Sequence, residues 1–413
     1  MKRNSLALAL FTILLLLILG CGSGGDPDLG TASNPFLVSN EADLRKVGTG
    51  TGGWDPDSHY RMTANITMTG GGWRPIDWFA GTFDGNGHTI TGLTNASDWP
   101  GIYYGLFGRI DSEGVVKNLG LVNVNFNIAN NMDIGGVAGG NSGTVQNCYV
   151  TGNISNSAGV WSYSIGGVVG DNGGTVQNCY FTGSISNSAD FFSSSFDSVG
   201  GVAGSNSGTI QNCYSTASVS SDLSSGSVGG VAGGNGGTVE NSYSTGSVQG
   251  TESVGGVVGR QDGNYAIVQN CYSTGSVQGT ESVGGVVGNN DRESFKGEGG
   301  TVQNCVALTL SISRAGGSSG TEFGRVAGIS DDGTLANNRA RSDMVFINVT
   351  PFPPVSSDAA DIHGADVAIG TSLSTVFSGW DTGIWNIPGV NLAINGALPT
   401  LRNAGGSQNP TLP

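Results

Sequence analysis

The chain has 413 residues, 73 of them glycine, with a formal net charge of −15 and only 11% charged residues. A chain so acidic has no basic patch with which to hold nucleic acid or an anionic lipid surface. Twelve prolines without a strict glycine triplet exclude collagen, and three histidines leave little room for histidine chemistry.

Residues 1–20 read as a signal peptide. Lys2 and Arg3 supply the positive start, and Leu6–Leu19 is an apolar run too short for a membrane span. The run ends in Ile18-Leu19-Gly20-Cys21, which resembles the lipobox of bacterial lipoproteins. That resemblance implies that Cys21 is the lipidated, palmitate-bearing first residue of the mature chain, anchored at the bacterial envelope, on the outer membrane or cell surface. The plainer reading is a secretory signal followed by a chance cysteine. Residues 21–34 form a Gly- and Asp-rich flexible tether.

Residues 35–128 are expected to hold an N-terminal cap and the first rungs. In NPFLVSNEADLRKV, Ser39 or Asn40 can cap a short helix with Glu41 and Asp43 in its first turn and Leu44 and Val47 on one face. Such a helix would cover the unpaired backbone of a first rung. The strands that follow are short and broken by glycine, with Trp73 and Trp78 supplying bulk.

From 129 to 345 the sequence repeats one unit. VQNCYVTGNI at Val145 returns as VQNCYFTGSI, IQNCYSTASV, VENSYSTGSV, VQNCYSTGSV and VQNCVALTLS, with GGVxG blocks between. Asn118, Asn147, Asn178, Asn212, Asn241, Asn270, Asn304 and Asn337 mark it at intervals of 29, 31, 34, 29, 29, 34 and 33 residues. Short apolar bursts at that period between Gly/Asn/Ser turns predict a solenoid. One unit cannot hold itself, but stacking at about 4.8 Å pairs every backbone amide with the next rung. The fold expected is all-β, a right-handed parallel β-helix with a short N-terminal helix and a C-terminal cap.

Side-chain faces follow from the alignment of rungs. Val116, Val145, Val176, Ile210, Val239, Val268 and Val302 should point inward with Leu119 and with Cys148, Cys179, Cys213, Cys271 and Cys305. The cysteines recur with the repeat and not at metal-ligand spacing, so buried free thiols are expected, although a bridge between neighbours such as Cys148–Cys179 is conceivable. The asparagines should form an internal ladder at the bend. Tyr149, Tyr180, Tyr214, Tyr243 and Tyr272 are then an exposed ladder, either a shield for the sheet or a strip for sugar rings or a protein partner. Two longer linkers carry Trp161 and Tyr163, then Phe191, Phe192 and Phe196, a possible ligand-binding aromatic patch on adjacent loops. Residues 346–413 break the repeat, and Trp380, Trp385 and Pro399 suggest a distal cap, preceded by an acidic connection at Asp358–Asp366.

FAGTFDGNGHTITGLTN, then YYGLFGRIDSEGVVKNLGLVNVN, then the GGVxG…NC blocks together resemble bacterial surface proteins with GLUG-type repeats. The resemblance implies an exported, repeat-built protein with adhesin-like or protease-associated surface roles. It supplies no catalytic motif.

No GxSxG, HExxH or Cys–His arrangement is present. Asp84 and His88 in FDGNGH are better explained by a tight turn, and no D-x-D-x-D-G run supports Ca²⁺, so no cofactor is expected. The reading is a non-catalytic surface lipoprotein, held to the membrane by its N-terminal lipid and binding a glycan or a surface protein of another cell. A carbohydrate-active β-helix enzyme would need carboxylates from different rungs to converge. Ice or mineral binding would need more than the single column Thr151, Thr182, Thr216, Thr245 and Thr274.

Overall fold

The computed structural model describes residues 28–413 apart from 130–132, 159–163, 189–196, 223, 225, 264, 292–298, 317–321 and 351–355. Among the described residues the chain winds through four parallel sheets of 11, 16, 8 and 9 strands. One rung shows the path. Thr238–Glu240 lies on the first face, Tyr243–Ser244 and Val248–Gln249 on the second, Ser253–Gly255 on the third and Val258–Gln261 on the fourth. Each strand pairs in parallel with its counterparts one repeat away, so Val145, Val176, Ile210, Val239, Val268 and Val302 lie directly over one another. Eleven strands at about 4.8 Å make a rod roughly 50 Å long. The parallel β-helix expected from the repeat is the fold observed.

Two corners explain the repeated residues. Between the first and second faces each anchoring asparagine adopts φ between 48° and 55°, a left-handed conformation that asparagine tolerates better than most side chains. Between the third and fourth faces the Gly-Gly pair lets the strands fold onto each other. A Cβ on Gly229 would sit 1.9 Å from the Ala232 carbonyl oxygen, and one on Gly230 would sit 2.2 Å from the Gly256 carbonyl. Only glycine fits there.

The interior is columnar. The valine column, Leu119 and all five described cysteines are buried, and the thiols are free. The thiols also work as hydrogen-bonding groups. The backbone N–H of Cys148 donates to Sγ of Cys179 at 3.4 Å, and that of Cys179 to Sγ of Cys213 at 3.4 Å. Ser242 takes over for Cys213 at 3.1 Å, and Asn338 for Cys305 at 3.0 Å. Burial holds the Cys148, Cys179 and Cys271 thiols well above their ordinary pKa, so they stay protonated and unreactive.

The marked asparagines do bond along the axis. Asn147 donates to Asn118 at 3.0 Å, Asn178 to Asn147 at 3.0 Å and Asn212 to Asn178 at 3.2 Å. They do so on the outside of the corner and not inside it, because the left-handed turn swings the side chain outward; Asn147 is exposed. A second, buried ladder runs through Asn141, Asn172, Asn206, Asn235, Gln261 and Asn290, each amide nitrogen donating to the next oxygen at 2.7 to 3.0 Å. It closes the turn from the fourth face back to the first.

At the start of the rod a helix of four residues, Glu41–Leu44, is capped by Asn40, whose side chain accepts from the Asp43 amide. Leu44 is fully buried, and Glu41 accepts from the Thr69 and Gly70 amides and from Arg45. Those bonds, the Thr69 amide first, hold its carboxyl down to about 2. Trp73 is buried, whereas Trp78 lies 44% exposed on the outside of the fourth face. At the far end the Asp358–Asp366 connection forms most of a last rung. The Ile362 carbonyl accepts from Val326 and Ala327, and Ala365–Val367 pairs with Arg339–Arg341.

Candidate functional site

The five repeat tyrosines form one continuous stack. Successive ring centroids are 5.1, 4.7, 5.0 and 4.8 Å apart with interplanar angles of 9° or less. The stack follows from parallel in-register pairing, which places Tyr149 on Tyr180, Tyr214, Tyr243 and Tyr272 in turn.

Most of this ladder is covered, which corrects the expectation of an exposed strip. The segment from residue 368 onward runs back along the second face as a strap. Tyr214, Tyr243 and Tyr272 are 2%, 1% and 0% exposed and share a core with Leu373, Val376, Phe377, Trp380, Trp385 and Leu401. Their hydroxyls donate to the Gly405 carbonyl at 3.0 Å, the Gln408 side chain at 3.2 Å and the Pro399 carbonyl at 2.7 Å. Trp380 donates its indole N–H to the Asn304 carbonyl at 2.9 Å. The three rings and the apolar strap bury each other because neither has another apolar partner. The tryptophans expected to close the distal end therefore cover the side of the rod.

Tyr149 lies beyond this cover, and Tyr180 lies at its edge, packed against the strap core beside Gly405 and Gly406. Both are half-buried, and their hydroxyls donate to no described group. The column continues from Tyr149 to Gly120 and Thr89, so the stack of rings ends at a glycine. A Cβ on residue 120 would meet the Tyr149 ring at 2.4 Å, which shows how closely that ring leans over the glycine. Beside the two rings lies a cavity of about 310 Å³, bounded by the outer amides Asn118, Asn147 and Asn178, by Tyr149 and Tyr180, and by Asn403, Gly405 and Gly406 of the strap. Its volume falls at the lower end of the range for small-molecule sites, about 300–1,000 Å³. Burial, then the neighbouring Tyr149, raises the Tyr180 pKa, so its hydroxyl stays neutral.

The other candidates separate. Cys21, Trp161, Tyr163, Phe191, Phe192 and Phe196 lie outside the described residues. Asp84 and His88 do not pair: Asp84 accepts from Asn118 at 3.0 Å and so ends the outer amide ladder, while His88 meets Asn65 at 3.2 Å. A second threonine column, Thr144, Thr175, Thr209 and Thr238, runs up the first face, on a different sheet from Thr151 and Thr182, and beside Thr245 and Thr274 the strap residues Asn409, Pro410, Thr411 and Pro413 wall a second hollow. Among the described residues no group of three or more His, Cys, Asp or Glu could hold a metal ion.

Three carboxyls that sequence reasoning assigned to no site have perturbed surroundings. Asp133 and Asp171 sit on the third and fourth faces of adjacent rungs. Burial, helped by Asp171 and opposed by a Ser164 hydrogen bond, pushes Asp133 up to about 7. Burial also raises Asp171 against Ser205 and Arg109, and it pushes Asp197 up to about 7. One Asp197 carboxyl oxygen is buried without a partner. The repeat carries no sign of them, because their columns are mixed: Tyr103 and Ser164 flank Asp133, and Arg109, Gly140, Ser205, Gly234, Arg260 and Asn289 share the column of Asp171.

The GLUG motif model matches residues 130–155, 162–186, 224–249 and 250–278. A relative provisionally named a Gly-rich membrane protein, from Evansella cellulosilytica, is 34% identical over 140 residues, 31% of this chain and 15% of its own length. Halomucin from Haloquadratum walsbyi is 30% identical over 144 residues, 30% of this chain and 2% of its own. The chain thus spans a small part of either. Among solved structures, one named IgA1 protease has a TM-score of 0.53 at 16% identity, with 84% of this chain and 24% of that chain covered. A second, provisionally named an immunoglobulin A1 protease from Bacteroides ovatus, has a TM-score of 0.46 at 21% identity, with 90% and 94% covered. The chain carries GLUG motifs, and they fall within the rungs of a parallel β-helix.

Proposed function

We propose that this protein is a non-catalytic, surface-displayed binding module of the adhesin-like kind, and that it takes its ligand at the uncovered end of the tyrosine ladder. One observation carries the proposal: the strap covers three of five stacked rings and leaves Tyr149 and Tyr180 beside a cavity. A rigid scaffold with one unfilled aromatic hollow is what a binding site requires.

The names of the two relatives, a Gly-rich membrane protein and a halomucin, support a location at the membrane or cell surface. Lipidation of Cys21 would supply the anchor, and the tether at 21–34 would hold the rod clear of it. The aromatic linkers around Trp161, Tyr163, Phe191, Phe192 and Phe196 are a second place for a partner.

The test has two parts. A clickable palmitate analogue should label the native chain and not Cys21→Ser. Cells displaying the chain should adhere to a target surface at least severalfold better than cells displaying Tyr149→Ala. Equal adhesion by the two would remove the ladder site; adhesion lost only when Trp161, Phe191, Phe192 and Phe196 become alanine would move the site to the linkers.

A further inference from the structure

The cavity at the end of the ladder has a chemistry of its own. None of its lining residues carries a formal charge. An anionic ligand would find no counter-charge there, and the chain's net charge of −15 further disfavours it; the Asp84 carboxylate that ends the ladder already accepts from Asn118 and from the Asn86 amide, and it does not line the cavity. On one side are Tyr149 and the edge-covered Tyr180. On the other is the outer amide ladder, which has a definite unused capacity. A carboxamide offers two donor hydrogens and two acceptor lone pairs. Asn147 donates one hydrogen to Asn118 and accepts one bond from Asn178, so one donor and one acceptor remain and face outward from an exposed residue. The same count holds for Asn178, which donates to Asn147 and accepts from Asn212. Amides a rung apart thus repeat a donor–acceptor pair about every 4.8 Å.

A ligand complementary to this wall must be neutral. It must carry hydroxyls that both donate and accept, and it must offer an apolar face or edge to tyrosine. We infer that the cavity formed by Tyr149, Tyr180, Asn118, Asn147, Asn178 and the Gly405–Gly406 turn is a binding site for a sugar residue of a neutral glycan. The inference rests on the ladder-end site proposed above and names its ligand class. Asn118 and Asn147 bond ring hydroxyls while Tyr149 packs against the carbon face. Gly406 sets the width of the opening, since a Cβ there would lie 2.4 Å from the Tyr214 hydroxyl and 2.7 Å from the Tyr180 ring.

The experiment uses the purified full chain and four neutral hexasaccharides (gluco-, manno-, galacto- and xylo-configured), with an oligogalacturonate as the anionic comparison. Binding is followed by calorimetry. At least one neutral sugar should bind, and Tyr149→Ala and Asn147→Ala should each weaken it tenfold or more while the thermal midpoint and β-sheet circular dichroism persist. Tyr149→Phe, which keeps the ring, should retain most of the affinity and so separates stacking from misfolding. Binding of no neutral sugar at millimolar concentration, preference for the oligogalacturonate, or neutral-sugar binding indifferent to both alanine variants would each overturn the inference. A protein partner lost with Tyr149→Ala, in the absence of any sugar binding, would overturn the glycan assignment and leave the ladder-end site standing.

Discussion

At the scale of single residues the two amide ladders differ in what they hold. Asn206 is buried; its amide nitrogen reaches Asn235 at 2.7 Å and its oxygen accepts from Asn172. Asn206→Ala should cost about 2–4 kcal/mol, because neighbouring buried groups lose their partners. Asn178→Ala on the outer ladder should cost under about 1 kcal/mol, since water replaces what is lost. Chemical denaturation of the two variants measures the contrast, and equal losses would contradict it.

Acidity should act in an unusual direction. The raised pKa values of Asp133, Asp171 and Asp197 mean that the folded state binds protons more tightly than the unfolded chain. For Asp133 and Asp197 the contribution is complete below about 4 and is lost as pH rises through about 7, and Asp171 acts in the same direction. The lowered pKa of Glu41 acts the other way, only below its ordinary 4.5. The thermal midpoint should therefore climb as pH falls from 8 to 5. Asp197→Asn, which keeps the shape and removes the buried charge, should raise the midpoint at pH 8 and flatten the slope. A midpoint that falls over that range would contradict the assignment. The cysteines give a third check: iodoacetamide should leave Cys148, Cys179, Cys213, Cys271 and Cys305 unlabelled in the native chain and label all five after unfolding, as mass spectrometry reads it.

Among the elements, the strap was the least legible in the sequence. Trp380, Trp385 and Pro399 announce an apolar segment that needs a surface, but periodicity does not say which one. Its surface is the tyrosine column, and that pairing links residues more than a hundred positions apart, as in Tyr272 to Pro399. The asparagine ladder was readable because it recurs, yet its side of the corner depends on a positive φ that composition alone does not reveal. The buried amide column was also present in the letters, as the Asn three residues before the strands that begin at Thr144, Thr175, Thr209 and Thr238, but the glycine-rich blocks around it drew attention instead. Trp385→Ala should loosen the strap without unwinding the rod. Hydrogen exchange should speed up across 368–413 while the amides of the valine column keep their protection; slow exchange throughout the strap would contradict it.

For the whole molecule, parallel in-register stacking was fully legible in the sequence, because residues that repeat identically must pile into columns if the chain coils at all. Tyr243–Gly259 and Tyr272–Gly288 are identical, so deleting residues 243–271 removes one rung without a foreign junction. Such repeat units contribute stability additively. The shortened chain should keep its β-sheet circular dichroism and lose about 5 Å of length in solution scattering, although its strap must slip by one ring.

The central claim is that the rod is closed everywhere along the ladder except at Tyr149 and Tyr180. The measurement that tests it most directly is hydrogen exchange of the full chain with and without a saturating neutral hexasaccharide. Protection is expected in peptides covering 118–120, 147–149, 178–180 and 403–406 and nowhere else. Protection centred on the linkers at 159–163 and 189–196, or on the covered rings Tyr243 and Tyr272, would contradict it.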